Sequence, residues 1–183
     1  MPIFPTSRLR RLRRTEKLRE LVQEVSLSPK DLICPVFVEE GIQAKKQVNS
    51  MPAIERLPLS EVVNEVDAIV GLGIPGIMLF GIPENKDDEG TSAYVEHGIV
   101  QKAISEIRKN FGEKIVIMSD VCLCQYTSSG HCGLIKDGSV DNDSSLETLS
   151  KIAISQAKAG ADIVSPSAMM NGKVKTIRHG FDN

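Results

Sequence analysis

The sequence contains no tryptophan, and its five phenylalanines and two tyrosines amount to only 4% of the 183 residues. A folded core must therefore be built from aliphatic side chains, and a hydrophobic content of 41% is sufficient for one globular domain. No apolar stretch approaches the roughly 20 residues that cross a bilayer, and the N-terminus lacks the apolar segment of a secretory signal. Only four cysteines are present, three of them clustered, which suits a reducing compartment better than a disulfide scaffold. These absences predict a cytoplasmic protein that does not enter a membrane.

The net charge of −2 conceals an uneven distribution. Residues 7–19 carry seven basic side chains and one acidic one, whereas the rest of the chain carries 15 basic and 23 acidic side chains. Basic arms of this kind occur in nucleic-acid-binding proteins, membrane-associated proteins and transit peptides. The acidic remainder argues against nucleic-acid binding, and Glu16 and Glu20 argue against a transit peptide. We therefore treat residues 1–30 as a basic N-terminal arm and residues 31–183 as a separate folded part.

Apolar strands and amphipathic helices alternate along the folded part. Strands are predicted to start near residues 32, 75, 114 and 161, and helices are predicted over 60–70, 93–110 and 144–159, with a further helix-like segment over 169–181. Repeats of about 40 residues favour parallel βαβ units with right-handed crossovers. No G-x-G-x-x-G motif follows the first strand, so a (β/α)₈ TIM barrel is favoured over a doubly wound dinucleotide fold. Because a barrel needs eight units, the sequence predicts about the first four, which is half a barrel.

Three local signals predict how individual elements begin. Ser60 is expected to cap the first helix, and Ser144 with Glu147 has the S-x-x-E spacing of a capping box for the third. Pro35 lies within the first strand, which predicts that this strand is irregular or near an edge of the sheet.

The strongest functional signal is the segment SDVCLCQYTSSGHCGL at residues 119–134. It follows an apolar strand, and since side chains alternate along a strand, Asp120, Cys122 and Cys124 are expected to point to one side. The loop at residues 125–131 can then bring Cys132 back to them. Three thiolates beside a carboxylate favour a soft metal such as zinc, and three protein ligands leave a fourth position open, as in catalytic zinc sites.

Other interpretations of the same residues remain open at this point. Cys122 and Cys124 are also compatible with ordinary buried cysteines, or with a disulfide to Cys132. His131 either completes a structural Cys₃His site or is not a metal ligand. In the second case it contacts the ligands or lies on the substrate side. Cys34, alone in an apolar strand, is predicted to be a core residue.

Three motifs resemble the porphobilinogen synthase family, also called 5-aminolaevulinate dehydratase. They are DVCLCQYTSSGHCG at 120–133, VDND at 140–143 and GADIVSPSAMMNG at 160–172. The resemblance covers the whole chain but only the N-terminal half of the family's length. It implies a TIM barrel and a lyase that condenses two molecules of 5-aminolevulinate to porphobilinogen in tetrapyrrole and heme biosynthesis.

The resemblance also implies roles for individual residues. Cys122, Cys124 and Cys132 would hold zinc, and Asp120 would orient a substrate amino group or shuttle a proton. Ser167 would hydrogen-bond the substrate, although a helix N-cap is an equally valid interpretation. The basic arm would wrap a neighbouring subunit of a homo-oligomer, an octamer in the family, and magnesium is a further cation to consider.

The chain also departs from the family in ways that limit the functional prediction. The two lysines that form Schiff bases with substrate belong to the second half of the barrel, and neither Lys173 nor Lys175 matches them. We therefore expect the chain alone to be inactive. Asn171, where the family has aspartate, and Ser165, where it has alanine, alter the substrate side. Two alternatives are a non-catalytic zinc-binding or assembly module that pairs with full-length subunits, and a different barrel aldolase with a structural Cys₃His zinc.

Overall fold

The computed structural model describes residues 3–182. Its β-strands are β1 (Ile33–Glu39), β2 (Lys46–Gln47), β3 (Glu55–Leu57), β4 (Gly76–Ile82), β5 (Val116–Val121), β6 (Leu134–Lys136), β7 (Ser139–Asp141) and β8 (Ile163–Pro166). Its α-helices are α1 (Glu16–Leu21), α2 (Val62–Gly71), α3 (Ile99–Phe111), α4 (Asn142–Ala159) and α5 (Lys173–Asp182). None of the described helices has the length and apolar character that a membrane crossing requires.

One six-stranded sheet, in the order β2-β3-β1-β4-β5-β8, organises the structure. The pairs β3–β1, β1–β4, β4–β5 and β5–β8 are parallel, and only β2 is antiparallel to its neighbour. The long strands β1, β4, β5 and β8 are neighbours in chain order, with α2, α3 and α4 in the successive connections. The sheet confirms the α/β class predicted from the alternation of elements.

The helices cover one face of this sheet. Ile77 and Leu79 of β4 are at most 1% exposed and belong to a core formed with side chains of α2 and α3. On the opposite face, Phe80 stacks on Phe37 of β1 with ring centroids 4.9 Å apart, and both rings are only partly buried. The two faces follow from the two-residue period of a strand.

Two predicted helix starts are wrong. α4 begins at Asn142 because Asp141 accepts a hydrogen bond from the amide of Ser144, so Asp141 is the cap and Ser144 lies within the helix. α3 begins at Ile99, six residues later than predicted, and Val95 is 39% exposed before the helix. In both cases the chain before the helix is already folded, as the β6–β7 hairpin in one and a short 3₁₀ turn (Thr91–Ala93) in the other.

Two further starts also differ from the prediction. A 3₁₀ turn (Leu59–Glu61) precedes α2, so Ser60 does not cap it, and α2 has no side-chain cap. The predicted segment at 169–181 becomes helical only at Lys173.

Pro35 lies in a strand that is interior to the sheet, contrary to the edge prediction. β3, however, pairs only with Phe37 and Val38, so at Pro35 the strand is hydrogen-bonded on one side, with Met78 of β4 in register. The missing N–H of proline therefore leaves no partner unpaired on the β3 side.

Candidate metal centre

The cysteine segment begins where β5 ends. Val121 and Leu123 are fully buried in a second core beneath α4, whereas Asp120, Cys122 and Cys124 line a cavity of about 690 Å³ on the other side. The alternation expected from an extended chain therefore continues for three residues past the last strand residue. Residues of the neighbouring strands β4 and β8 complete the cavity lining: Met78, Phe80, Ser165 and Pro166, with Ser167 just beyond.

Three sulfur atoms converge in this cavity. The Sγ atoms of Cys122, Cys124 and Cys132 all lie within 4.8 Å of one another, and those of Cys122 and Cys124 are 3.4 Å apart. All four cysteines are free thiols, so the interpretation of a disulfide from Cys122 or Cys124 to Cys132 is wrong. Within residues 3–182, this trio is the one group of three or more Cys, His, Asp or Glu side chains able to hold a metal ion.

The loop at residues 125–131 returns Cys132 to the strand end. Leu123 O accepts hydrogen bonds from the amides of Tyr126 and Thr127, both 2.9 Å, and the Thr127 hydroxyl donates to His131 O at 3.0 Å. The amide of Ser128 donates to Asp87 O at 2.9 Å, which ties the loop to the segment after β4. These bonds pin both ends of the loop, and the sulfur trio is therefore preformed.

Burial raises the pKa of two of the three thiols, those of Cys124 and Cys132. Burial, followed by the hydrogen bond with Cys122, raises the pKa of Cys124 to about 12. Burial and contact with Cys122 also raise the pKa of Cys132. The thiols of Cys124 and Cys132 therefore hold their protons at neutral pH until a cation compensates the negative charge, and metal binding there must release protons.

Asp120 is held by two neighbours. The hydroxyl of Ser167 donates to its Oδ1 at 2.6 Å, and the Nε2 of Gln125 donates to its Oδ2 at 3.1 Å. Gln125 also accepts from the thiol of Cys124 at 3.3 Å, so one amide links the carboxylate to the sulfur trio. The parallel register of β5 and β8, in which Asp120 pairs with Ser165, brings Ser167 to this position.

A second amide supports the strand end from behind. Gln156 of α4 is fully buried, donates its Nε2 to Asp120 O at 2.9 Å, and accepts from the Ser119 hydroxyl at 2.7 Å. Neither Gln125 nor Gln156 is among the site residues predicted from the sequence. A signal did exist for Gln156, because it follows the apolar positions Ile152 and Ala153 at helical spacing and lies on the buried stripe.

His131 and Cys34 do not belong to the cluster, and Ser167 belongs to the cavity without capping a helix. His131 is exposed, its Nδ1 accepts from the amide of Gly133 at 3.3 Å, and it is not among the grouped metal ligands. His131 therefore does not complete a Cys₃His site in this structure. Cys34 packs against the first core, as predicted for an ordinary apolar position. Ser167 is not a helix cap, because α5 begins at Lys173.

Comparison with known proteins gives a consistent answer. The family model for delta-aminolevulinic acid dehydratase matches residues 6–183. The delta-aminolevulinic acid dehydratase of Bacillus subtilis is 54% identical over 176 residues, which are 96% of this chain and 54% of that protein. The enzyme of the same name from Methanothermus sociabilis is 47% identical over 98% of this chain and 57% of its own length.

A solved structure has the same fold. It is the crystal structure of delta-aminolevulinic acid dehydratase (porphobilinogen synthase) from Toxoplasma gondii in complex with its reaction product porphobilinogen. The TM-score is 0.92 at 35% sequence identity, over 96% of this chain and 51% of that one. The chain thus spans about half the length of the relatives it matches. By its sequence and its fold, the chain belongs to the delta-aminolevulinic acid dehydratase family.

Proposed function

We propose that this chain is the metal-binding N-terminal half of a porphobilinogen synthase, a lyase that condenses two molecules of 5-aminolevulinate to porphobilinogen. The observation that carries the proposal is the convergence of three thiols and the Asp120–Ser167 pair in one cavity at the carboxyl ends of β5 and β8. In parallel α/β folds, catalytic side chains lie at this end of the strands. The relative that holds porphobilinogen supports the choice of substrate class.

The donor set fits zinc. Sulfurs bound to one tetrahedral zinc at about 2.3 Å are roughly 4 Å apart, and the three thiols, all within 4.8 Å of one another, need only small side-chain adjustments. Cys122, Cys124 and Cys132 would supply three ligands and leave a fourth position for substrate. Bound there, zinc would act as a Lewis acid on a substrate carbonyl or amine. Magnesium is the second cation that the resemblance implies, and we assign no ligand residues to it.

Asp120 and Ser167 would handle the substrate. The carboxylate of Asp120 faces the cavity and is oriented by Ser167 and Gln125, so it can accept a hydrogen bond from a substrate ammonium or take one of its protons. The Ser167 hydroxyl, exposed beside it, can turn to a substrate carbonyl or carboxylate.

In this proposal, the chain supplies only half of the barrel. The face of the sheet opposite the helices exposes apolar side chains, with Ile33 at 50% and Ile163 at 45%, as expected for a barrel wall that lacks its other strands. Lys173 lies in α5 with its ammonium group donating to Ala168 O, so neither its position nor its contacts suit a Schiff-base lysine. A half barrel of four β/α units without these lysines would not turn over substrate.

The test is an assay of the purified chain for bound zinc and for porphobilinogen formation, with the Bacillus subtilis relative as a positive control. We expect one zinc per chain and no porphobilinogen. Absence of bound zinc after reconstitution contradicts the metal half of the proposal. If the chain forms porphobilinogen and its Asp120→Asn variant does not, the predicted inactivity is contradicted.

A non-catalytic assembly module is a second candidate function, and the arm provides the observation that favours it. Its apolar side chains are exposed, including Ile3, Phe4, Leu9, Leu21 and Leu27, at 73–83% each. Such a surface needs a partner to cover it, and another subunit of the same family would fit the family's homo-oligomers. A pull-down against a full-length relative, with and without residues 1–20, separates this function from the catalytic one.

A further inference from the structure

Asn171 and Gly172 form the turn that leads into α5, and they are the one Asn-Gly dipeptide of the sequence. Both residues are exposed. Among residues 3–182, the side-chain amide of Asn171 and the backbone N–H of Gly172 have no hydrogen-bond partner. The two groups that react in asparagine deamidation are therefore not held by hydrogen bonds from the described residues.

We propose that Asn171 is a site of spontaneous deamidation. The backbone nitrogen of Gly172 attacks Cγ of Asn171, the Cγ–Nδ2 bond breaks, and ammonia leaves with the proton that the backbone nitrogen gives up. Water then opens the five-membered succinimide at either carbonyl, which yields aspartate or isoaspartate. The sequence of steps consumes only water and involves no oxidation or reduction, and it reflects the known chemical lability of asparagine.

Local geometry favours the attack. Gly172 has no side chain to obstruct its nitrogen, and even a Cβ added there would meet no atom closer than Leu146 Cδ1 at 3.7 Å. The φ angle of Gly172, +86°, belongs to the region that glycine adopts without strain. Gly172 therefore adds no steric obstacle to the attack of its nitrogen on the side chain of the preceding residue.

The side chain of Asn142 holds the backbone of Asn171. Asn142, the first residue of α4, accepts from the amide of Asn171 at 2.8 Å and donates its Nδ2 to Asn171 O at 3.2 Å. A single side chain thus holds both backbone polar groups of Asn171 and ties the β8–α5 turn to the start of α4. We call this pair of bonds the Asn142 clamp.

The two products affect the clamp differently. Aspartate keeps the backbone length and adds a negative charge close to the N-termini of α4 and α5, where helix dipoles stabilise it. Isoaspartate inserts a methylene group into the backbone at residue 171, so Asn142 cannot keep both bonds. Deamidation through the isoaspartyl route therefore releases the turn that follows Ser167.

The experiment follows intact folded chain at 37 °C and neutral to mildly alkaline pH, with peptide mass spectrometry over time. We expect loss of the Asn171 amide, faster at higher pH, while Asn49, which is exposed but precedes a serine, changes more slowly. Chromatographic separation against an Asn171→Asp standard distinguishes aspartate from isoaspartate. Hydrogen exchange at residues 167–172 should be faster in the isoaspartyl fraction than in that standard.

Either of two results with the unsubstituted chain would overturn the proposal. In the first, Asn171 keeps its amide in the folded chain under conditions where the same segment, as a free peptide, is converted. In the second, isoaspartate forms but hydrogen exchange at residues 167–172 is unchanged, which removes the role of the clamp. The Asn142→Ala variant is the matched comparison, because freeing the backbone of Asn171 should accelerate conversion. Unchanged conversion in that variant also contradicts the clamp.

Discussion

Gln156 of α4 and Asp120 of β5 are joined by a hydrogen bond of 2.9 Å between the Gln156 amide and the Asp120 carbonyl oxygen, across 36 residues of sequence. The amide is fully buried, and its oxygen accepts from Ser119. The bond attaches α4 to the point where β5 delivers Asp120 and the first cysteine to the cavity. The position of the candidate site thus depends on a residue that does not line it.

Replacing Gln156 with leucine should lower the free energy of unfolding by about 2–6 kcal/mol. The substitution leaves the Ser119 hydroxyl and the Asp120 carbonyl without partners in the core, and each unsatisfied buried group costs about 1–3 kcal/mol. Urea denaturation of both proteins at pH 7 measures the difference.

The Ser119→Ala variant supplies the control through a double-mutant cycle. If the two side chains interact as the 2.7 Å distance indicates, removing Ser119 should cost less in the Gln156→Leu background than in the wild-type chain, by about 1 kcal/mol. Fully additive effects would contradict a direct interaction.

Sequence reasoning succeeded where the chemistry is local. The convergence of Cys122 and Cys124 follows from the two-residue period of a strand, and Cys132 is brought back by a loop whose own hydrogen bonds fold it against the strand end. Gln125 and Gln156 could not be predicted in the same way. Glutamine side chains are uncharged, so they add no charge pattern to the sequence that would mark a site. The partners of Gln156 become its neighbours only when α4 packs on β5.

The start of α4 was mispredicted because the neighbouring β6–β7 hairpin outweighed the capping-box spacing. Ser144 and Glu147 have capping spacing, but the β6–β7 hairpin places Asp141 ahead of them, and its carboxylate accepts from both the amide and the hydroxyl of Ser144. The sequence did carry a hairpin signal, Asp137-Gly138, whose φ angles of 51° and 76° suit a tight turn. Because the hairpin ends at Asp141, this signal places the start of α4 directly after it.

Replacing Cys124 with serine should weaken metal binding by more than about 100-fold, since loss of a residue that merely supports a ligand already costs about 10–100-fold. Titration with Co²⁺, followed by thiolate-to-metal charge-transfer absorbance, measures the affinity. Cys34→Ser is the matched control, because Cys34 packs against the first core and is not part of the sulfur trio. Equal losses in the two variants would show that the trio is not the metal site.

Asp162 should make stability depend on acid pH. Burial opposes its ionisation, but the Ile117 amide at 2.8 Å and the Arg108 guanidinium at 2.7 Å outweigh it and hold its pKa below the ordinary 3.8. A lowered folded pKa stabilises the protein above the unfolded pKa, and this stabilisation is lost as pH falls through the folded value.

The Asp162→Asn variant tests this linkage. The side chain is 42% exposed, so we expect a loss of only about 1 kcal/mol at pH 7. The difference from wild type should shrink towards zero as the pH falls below about 4. Urea denaturation at several pH values measures it, with Asp67→Asn, an exposed position in α2, as the control. A difference that stays constant down to pH 2 would contradict the assignment.

Gly81 of β4 should not tolerate alanine. A Cβ at this position would lie 2.4 Å from Val100 Cγ2 of α3 and 2.6 Å from the Tyr126 hydroxyl of the cysteine loop, and overpacking of this kind costs about 1–3 kcal/mol. Gly71, at the end of α2, has no atom within 4 Å of the place that a Cβ would take, so Gly71→Ala should be neutral or stabilising by up to about 1 kcal/mol. Thermal denaturation of the two variants compares them directly. Because Gly81 contacts both α3 and the cysteine loop, Gly81→Ala should also weaken Co²⁺ binding, whereas Gly71→Ala should not; equal metal affinity in both variants would mean that the loop adjusts independently of β4.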